Sequence, residues 1–312
     1  MQPGHKGTVM AEDGDVQRRA VVSRPLDVEL ADPLSSRVAL EIGAMSVRGT
    51  LRAHNTDHYL AIKVSRGLEI VSTSLAEIDY PPAFEEHAYA MVVADGIGGQ
   101  GEGARASRAA LSAMAYLAIT YGHWNVRVGP DTAEDIKAQI QFFLRRIDDV
   151  LRRANRDFPK TGLTTSLTMV AVAGRDLFFT SVGHSQAFLF RAGRLVPLTI
   201  THTWDEEQSG SIAPPELEYA KRDFTHVVTK TVGGRPFAAD VDVEQIQLES
   251  GDRLLLCTNG LTDAVREDEI ADALAVRRSP KEDCRQLVDL AVLNGSHDDI
   301  TAMVADYELH SK

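Results

Sequence analysis

Residues 91–100, MVVADGIGGQ, have the types and spacing of a cation site at the end of a strand. An apolar run ends on Asp95, and glycines follow at positions 96, 98 and 99. Glycine allows a sharp turn and lets a ligand approach the main chain closely. A carboxylate beside an accessible carbonyl oxygen suits a hard cation such as Mg²⁺ or Mn²⁺. The same residues also suit a plain Asp-Gly turn, so both interpretations stay open at this point.

Three further segments place polar side chains next to an apolar strand pattern. Residues 51–60, 253–263 and 294–304 read LRAHNTDHYL, RLLLCTNGLTD and NGSHDDITAMV, and they contribute Arg52, Asn55, Asp57, Asn259, Asp298 and Asp299. Oxygen ligands from several strand ends on one rim would meet the needs of Mg²⁺ or Mn²⁺, with water in the remaining positions. We therefore expect a site assembled from distant parts of the chain.

The elements that must position these residues follow an α+β pattern. Apolar and β-branched runs predict strands at 38–49, 59–65, 68–75 and 89–95, several between 164 and 199, two between 241 and 260, and one at the end of the sequence. Segments 59–65 and 68–75 are predicted to form a hairpin. Helical periodicity predicts helices at 103–122 and 131–157 and two short ones before the last strand. This order predicts helices packed outside two stacked sheets.

The sequence predicts one domain after a tail. Residues 1–36 are polar and aperiodic, which is typical of a poorly ordered N-terminal tail. A single domain is predicted at 37–308. Within it, a polar stretch containing Pro214 and Pro215 predicts an irregular flap at about 200–235.

Composition excludes several classes of function. A formal net charge of -12 argues against a nucleic-acid partner, because phosphate backbones require clustered Lys and Arg. Cys257 and Cys284 lack CxxC spacing, so neither a zinc site nor a disulfide framework is indicated, and a reducing cytoplasm is the expected compartment. The sequence has no long apolar run, so we expect neither a signal peptide nor a membrane span.

Six short motifs occur in order between about residues 38 and 306. They are RxxxxD (52–57), DGIGG (95–99), GLTTS (162–166), VGHSQAFLFR (182–191), GDRLLLCTNGLTD (251–263) and DDIT (298–301). In this order they resemble the metal-dependent serine/threonine protein phosphatases of type 2C, the PPM family, of the bacterial type. The resemblance implies a sandwich of two antiparallel β-sheets flanked by α-helix pairs. It also implies a dinuclear Mn²⁺ or Mg²⁺ centre in a cleft at one end.

The resemblance gives each matching residue a role. Asp95 would bridge two metal ions, the Gly96 carbonyl would bind one of them, and Asp298 would bind the other. Arg52 matches the arginine that holds the substrate phosphate, since a guanidinium fork suits phosphate oxygens. Asp57 matches an acid that hydrogen-bonds metal-bound water. Arg52, Asp57 and Asp95 are therefore the predicted catalytic residues.

Three positions depart from the family pattern, and each change removes a carboxylate. Thr56 stands where the family has Glu, and Asn259 and His184 stand where it has Asp. Asn259 is still a candidate metal ligand through its uncharged amide oxygen. His184 has two interpretations, a hydrogen-bonded histidine at a turn or a metal ligand that would favour Mn²⁺ or Zn²⁺ over Mg²⁺. Metal binding is expected to be weakened at one or both sites.

The resemblance implies hydrolysis of phosphoserine or phosphothreonine on proteins by metal-activated water. The alternative is a pseudophosphatase that binds a phosphoprotein or kinase with little or no turnover, because carboxylates are lost at positions 56, 184 and 259. A calcium-stabilised structural domain is a third interpretation, but it gives Arg52 no purpose. A phosphorylated protein substrate is the expected partner, with a serine/threonine kinase as a further candidate.

Overall fold

The computed structural model describes residues 34–75, 84–98, 101–122, 126–156, 162–203, 228–234 and 241–310. Most of the predicted tail at 1–36 and of the predicted flap at about 200–235 lies outside these residues. Both therefore stay predictions.

Eleven strands and five α-helices lie in the described ranges. The strands are β1 Val38–Val47, β2 Asp57–Leu68, β3 Phe84–Ile97, β4 Thr164–Thr165, β5 Leu167–Ala173, β6 Asp176–Val182, β7 Gln186–Arg191, β8 Arg194–Pro197, β9 Glu244–Gln247, β10 Arg253–Cys257 and β11 Ile300–Leu309. The helices are α1 Glu102–Tyr121, α2 Pro130–Ala154, α3 Asn259–Thr262, α4 Glu267–Ala275 and α5 Pro280–Leu293. A short 3-10 helix, Leu34–Ser36, precedes them.

The strands form two antiparallel sheets. Sheet A has the order β1-β11-β10-β7-β8, and sheet B has the order β2-β3-β5-β6-β9, with β4 paired to β3. One apolar core contains side chains from both sheets and lies between them. A second core joins sheet B to α1 and α2, and a third joins sheet A to α4 and α5. The predicted sandwich of two sheets flanked by helix pairs is confirmed.

The predicted hairpin between 59–65 and 68–75 is wrong. Strand β2 instead pairs with β3 along its whole length, from Asp57 opposite Asp95 to Leu68 opposite Phe84. Residues 69–75 form no strand, and Val71 is 92% exposed. Apart from the partly buried Ile70, the residues of this segment are exposed, and local alternation alone could not show that. The short helix α3 was not predicted.

Both cysteine side chains lie in the apolar core. Cys257 and Cys284 are buried and unpaired, and burial raises the pKa of the Cys284 thiol to about 12. Both are core residues, as expected. Within the described ranges, every helix is too short or too polar to cross a lipid bilayer.

Candidate metal centre

Strand β3 carries Asp95 to one end of the layer between the sheets. Side chains alternate along this strand: Met91 and Val93 lie in the core between the sheets, whereas Val92 and Ala94 pack toward α1 and α2. Asp95 is the next residue of the inward series. The alternation that builds the core therefore also directs this acid into the rim between the sheets.

Three more polar side chains reach the same rim. Asp57, the first residue of β2, lies directly opposite Asp95. Thr258 follows β10 and Thr301 lies in β11, and their hydroxyls donate to Asp57 Oδ2 at 2.7 and 2.9 Å. The acids belong to sheet B and the threonines to sheet A, so the site is built across the two sheets.

The Asp57 carboxylate is buried and incompletely satisfied. It is 3% exposed, and Oδ1 has no hydrogen-bond partner among the described residues. Burial raises the pKa of Asp57 well above its usual value, the charge of Asp95 raises it further, and the hydrogen bonds from Thr258 and Thr301 act in the opposite direction. A carboxylate in this state is stabilised by any cation or proton that reaches Oδ1.

Asp95 faces the histidine that departs from the family pattern. His184 Nε2 lies 3.5 Å from Asp95 Oδ2. Burial raises the pKa of Asp95, His184 lowers it, and Asp298 raises it again. The turn before His184 contains Gly183, whose φ is +102° and whose Cβ, if present, would collide with Ser166. Only glycine suits that turn, which brings the imidazole to the predicted bridging acid.

Arg52 pairs with Asp298. Its Nη2 and Nε lie 2.6 and 2.7 Å from Asp298 Oδ1. Burial lowers the pKa of Arg52, but the hydrogen bond and charge of Asp298 outweigh this effect and raise it. The Arg52 side chain is 44% exposed, so an anionic ligand can reach the guanidinium from solvent.

Asn259 is the first residue of α3, beside the rim threonine Thr258. Its Nδ2 donates to Asp263 Oδ2 at 2.9 Å. Its Oδ1 is buried and lacks a hydrogen-bond partner within the described ranges. An amide oxygen in this position is an unused acceptor, as expected of a neutral ligand that takes the place of a carboxylate.

Gly96 packs against the beginning of α1. A Cβ on Gly103 would collide with the Gly96 carbonyl oxygen, and a Cβ on Gly96 would collide with the Gly103 main chain. The Gly96 N–H donates to the Thr56 carbonyl at 3.2 Å. Both glycines are therefore required by close backbone contact. Metal binding by the Gly96 carbonyl stays a prediction.

Sequence reasoning missed part of the site. The roles of Thr258 and Thr301 as donors to Asp57 were not predicted, and neither was the burial of Asp299, which accepts hydrogen bonds from Gly49 and Thr56. The available signal was polar residues at the end of otherwise apolar strand patterns, in the segments LLLCT and DDIT.

The donor set fits a hard cation, although it is poorer in charge than the family set. No three His, Cys, Asp or Glu side chains in the described part of the chain stand in a metal-ligating arrangement, and Asp298 is engaged by Arg52. The unpartnered oxygens of Asp57 and Asn259 and the raised pKa values of the facing acids are nevertheless what a cation at this rim would satisfy.

Comparison with known proteins agrees with this geometry. A family model described as Stage II sporulation protein E (SpoIIE) matches residues 214–308. The serine/threonine protein phosphatase PstP of Mycobacterium tuberculosis is 26% identical over 272 residues, which cover 86% of this chain and 45% of PstP. The chain thus spans about half the length of that relative. The phosphatase stp of Listeria welshimeri is 26% identical over 225 residues, covering 71% of this chain and 86% of stp.

A solved structure extends the comparison to the fold. The catalytic domain of PstP in complex with two manganese ions matches with a TM-score of 0.64 and 26% identity, over 87% of this chain and 99% of that domain. By sequence and fold, the chain is similar to bacterial serine/threonine protein phosphatases such as PstP and stp, whose class is the type 2C (PPM) phosphatases.

Proposed function

We propose that the chain is a metal-dependent phosphatase that hydrolyses phosphoserine and phosphothreonine on proteins in the cytoplasm. The observation that carries this proposal is the convergence of Asp57, Asp95 and Asp298 on one rim together with Arg52. Asp95 and Asp298 would supply oxygen ligands, Asp57 would supply a proton acceptor, and Arg52 would supply the complement to a phosphate. Partner kinases belong to the same proposal, because phosphoprotein substrates require them.

Asp95 and Asp298 would hold Mn²⁺ or Mg²⁺, with Asn259, the Gly96 carbonyl and His184 as further donors. When bound, such ions lower the pKa of water and neutralise charge on a phosphoryl group. Two divalent ions would exceed the charge of the remaining acids, so the second site is expected to be the weaker one.

The chain's own residues would orient the substrate and accept the proton. Arg52 engages Asp298 through one carboxylate oxygen, so a phosphate monoester and Asp298 would compete for the same guanidinium. With Asp298 serving as a metal ligand, the Arg52 guanidinium would be available to bind the phosphate. Asp57 Oδ1, which has no partner in the described part of the chain, would accept a proton from the attacking water.

The test is release of phosphate from p-nitrophenyl phosphate and from phosphoserine and phosphothreonine peptides, with Mn²⁺ and with chelator. We expect metal-dependent release that falls about a hundredfold in Arg52→Ala, chiefly through KM. Arg66→Ala is the matched control, since Arg66 lies near the far end of β2. The known relatives give no support to the pseudophosphatase alternative. Tight phosphopeptide binding without metal-dependent release would overturn the proposal in its favour.

A further inference from the structure

Thr56 and Asp299 form a buried pair that lies between two acidic segments, one at residues 95–96 and the other at residues 298–299. Asp299 is 2% exposed and Thr56 is 6% exposed. Asp299 Oδ2 accepts both the N–H and the hydroxyl of Thr56, each at 2.7 Å, and Oδ1 accepts the Gly49 N–H at 2.8 Å. Three donors therefore satisfy this buried carboxylate, two of them from a single residue.

The main chain of Thr56 extends the connection to the other acidic segment. Its carbonyl oxygen accepts the Gly96 N–H at 3.2 Å and the Ser107 hydroxyl at 2.5 Å. At the other end, Asp298 Oδ1 accepts the Asp299 N–H at 2.8 Å. Thr56 thus connects the residue after Asp95 to the residue after Asp298.

We propose that Thr56 and Asp299 are a positioning pair that sets the spacing of the two acidic segments and that excludes a carboxylate from position 56. Where it concerns metal affinity, the proposal rests on the proposed function. The hydrogen-bonded pair itself does not depend on that function.

The exclusion follows from charge and space. Glutamate at position 56 would remove the hydroxyl donor and place a second negative charge beside the Asp299 carboxylate, in a region shielded from water. On its other side Thr56 is confined by α1, since a Cβ on Gly103 would lie 3.2 Å from Thr56 Cγ2. Restoring the family glutamate alone therefore introduces a repulsion. Asparagine at position 299 would relieve it, because an amide can donate to Glu while its oxygen still accepts.

The experiment uses the full chain and five variants: Thr56→Ser, Thr56→Val, Thr56→Glu, Asp299→Asn, and Thr56→Glu combined with Asp299→Asn. Mn²⁺ affinity is measured by calorimetric titration, and Tm is measured in chelator. Valine keeps the shape but removes the hydroxyl, so we expect Mn²⁺ affinity to fall about tenfold and Tm to fall by about 3 °C. Thr56→Ser keeps the hydroxyl, so its Mn²⁺ affinity and its Tm should stay close to those of the wild type.

We expect Thr56→Glu to lower Tm and Mn²⁺ affinity at least as much as Thr56→Val. The double variant should regain the wild-type Tm and bind Mn²⁺ more tightly than the wild type. Tighter Mn²⁺ binding by Thr56→Glu alone with an unchanged Tm would overturn the proposal, and so would a Thr56→Val variant that behaves like the wild type.

Failure of the proposed function gives a different result. If the wild type binds no Mn²⁺, the proposed function fails, whereas the Tm values in chelator still test the pair. Non-additive Tm shifts of Thr56→Glu and Asp299→Asn support the pair. Additive shifts refute it, whatever the metal titration shows.

Discussion

Two of the charged clusters in the described part of the chain, one on the helix-covered face of sheet A and one at the rim between the sheets, differ in how their charges are met. On the side of α4 and α5, the fully buried Arg253 contacts Asp306 through Nε and lies 2.6 Å from Asp283 Oδ2. Its Nη atoms also donate to the carbonyl oxygens of Leu274 and Arg278. Every part of this guanidinium is engaged.

The rim between the sheets shows the opposite state. Asp57 and Asp95 lie opposite each other on the paired strands β2 and β3, and burial raises the pKa of both carboxyls. Asp57 Oδ1 and Asn259 Oδ1 lack hydrogen-bond partners in the described ranges. The basic side chains beside these acids in the described ranges include Arg52, whose side chain is 44% exposed, and His184. Charges that are met internally indicate a structural cluster, whereas acids held together without sufficient partners indicate a site for a ligand.

The largest expected effect is at Asp95, where substitution should nearly abolish phosphate release without lowering stability. Asp95→Asn should lower metal-dependent phosphate release about a thousandfold, because the predicted bridging charge is lost. Its Tm in chelator should be equal to or higher than that of the wild type, since a desolvated, repelled carboxylate is removed. Phosphate release and thermal melting check both results. Retention of more than a tenth of the activity would contradict the role given to Asp95.

The second prediction concerns the satisfied cluster. Arg253→Met should reduce the free energy of unfolding by about 3 kcal/mol, because the buried Asp283 loses the Arg253 charge and keeps only its 3.2 Å contact with Arg278. Urea denaturation measures this change. Arg266→Met is the control, since its ion pair with Asp268 is exposed and its loss should have no measurable effect. Equal stability of the two variants would show that the buried cluster contributes nothing.

The third prediction is a pH dependence of the rim in chelator. A carboxyl whose pKa is raised on folding is favourable while protonated, and that contribution is lost as pH rises from its unfolded value toward its folded value. Burial and Asp95 raise the pKa of Asp57 above 3.8. The stability of Asp57→Asn relative to wild type should therefore increase as pH rises from about 4, by about 1.4 kcal/mol for each unit by which the pKa is raised.

Urea denaturation at a series of pH values between about 4 and 8 measures this difference. Using the difference between variant and wild type removes the contribution of carboxylates that do not interact with Asp57, so what is measured is the joint titration of Asp57 and Asp95. A difference that stays flat or declines with pH would mean that Asp57 is not destabilised by ionisation.

The smallest expected effect is at Asn259. Asn259→Asp should increase Mn²⁺ affinity by about tenfold, because it adds charge beside a buried, unpartnered oxygen. The gain is limited because the hydrogen bond from Asn259 Nδ2 to Asp263 is lost. Combining it with Asp263→Asn restores a donor and should enlarge the gain. Calorimetric titration decides this, and weaker binding by both variants would place the metal elsewhere.

Sequence patterns predicted the sandwich and the acids of the rim because both depend on local alternation. Met91 and Val93 reveal the inward face of β3, and the same period points Asp95 to the rim. The partners of Asp57 could not be predicted in this way, since Thr258 and Thr301 lie 201 and 244 residues away. The hairpin failed for the same reason: residues 69–75 have an apolar strand pattern but pair with no strand in the described ranges.

The buried pair was hidden from sequence by its chemistry. Threonine at position 56 reads as a lost carboxylate, and Asp299 reads as one of two adjacent acids in a loop. Only the distances between them show that the acid at position 299 uses the threonine as its donor. The missing carboxylate at position 56 and the buried carboxylate at position 299 therefore belong to the same hydrogen-bonded pair.

Strand β1 pairs with β11 from Val38 opposite Leu309 to Val47 opposite Ile300, so strands from opposite ends of the folded region are neighbours. During synthesis, β1 leaves the ribosome early and must wait for β11 before sheet A can close. Asp298 and Thr301 arrive with that last strand. The rim is therefore incomplete until β11 pairs with β1, and Arg52 and Asp95 are made about two hundred residues before the strand that completes their site.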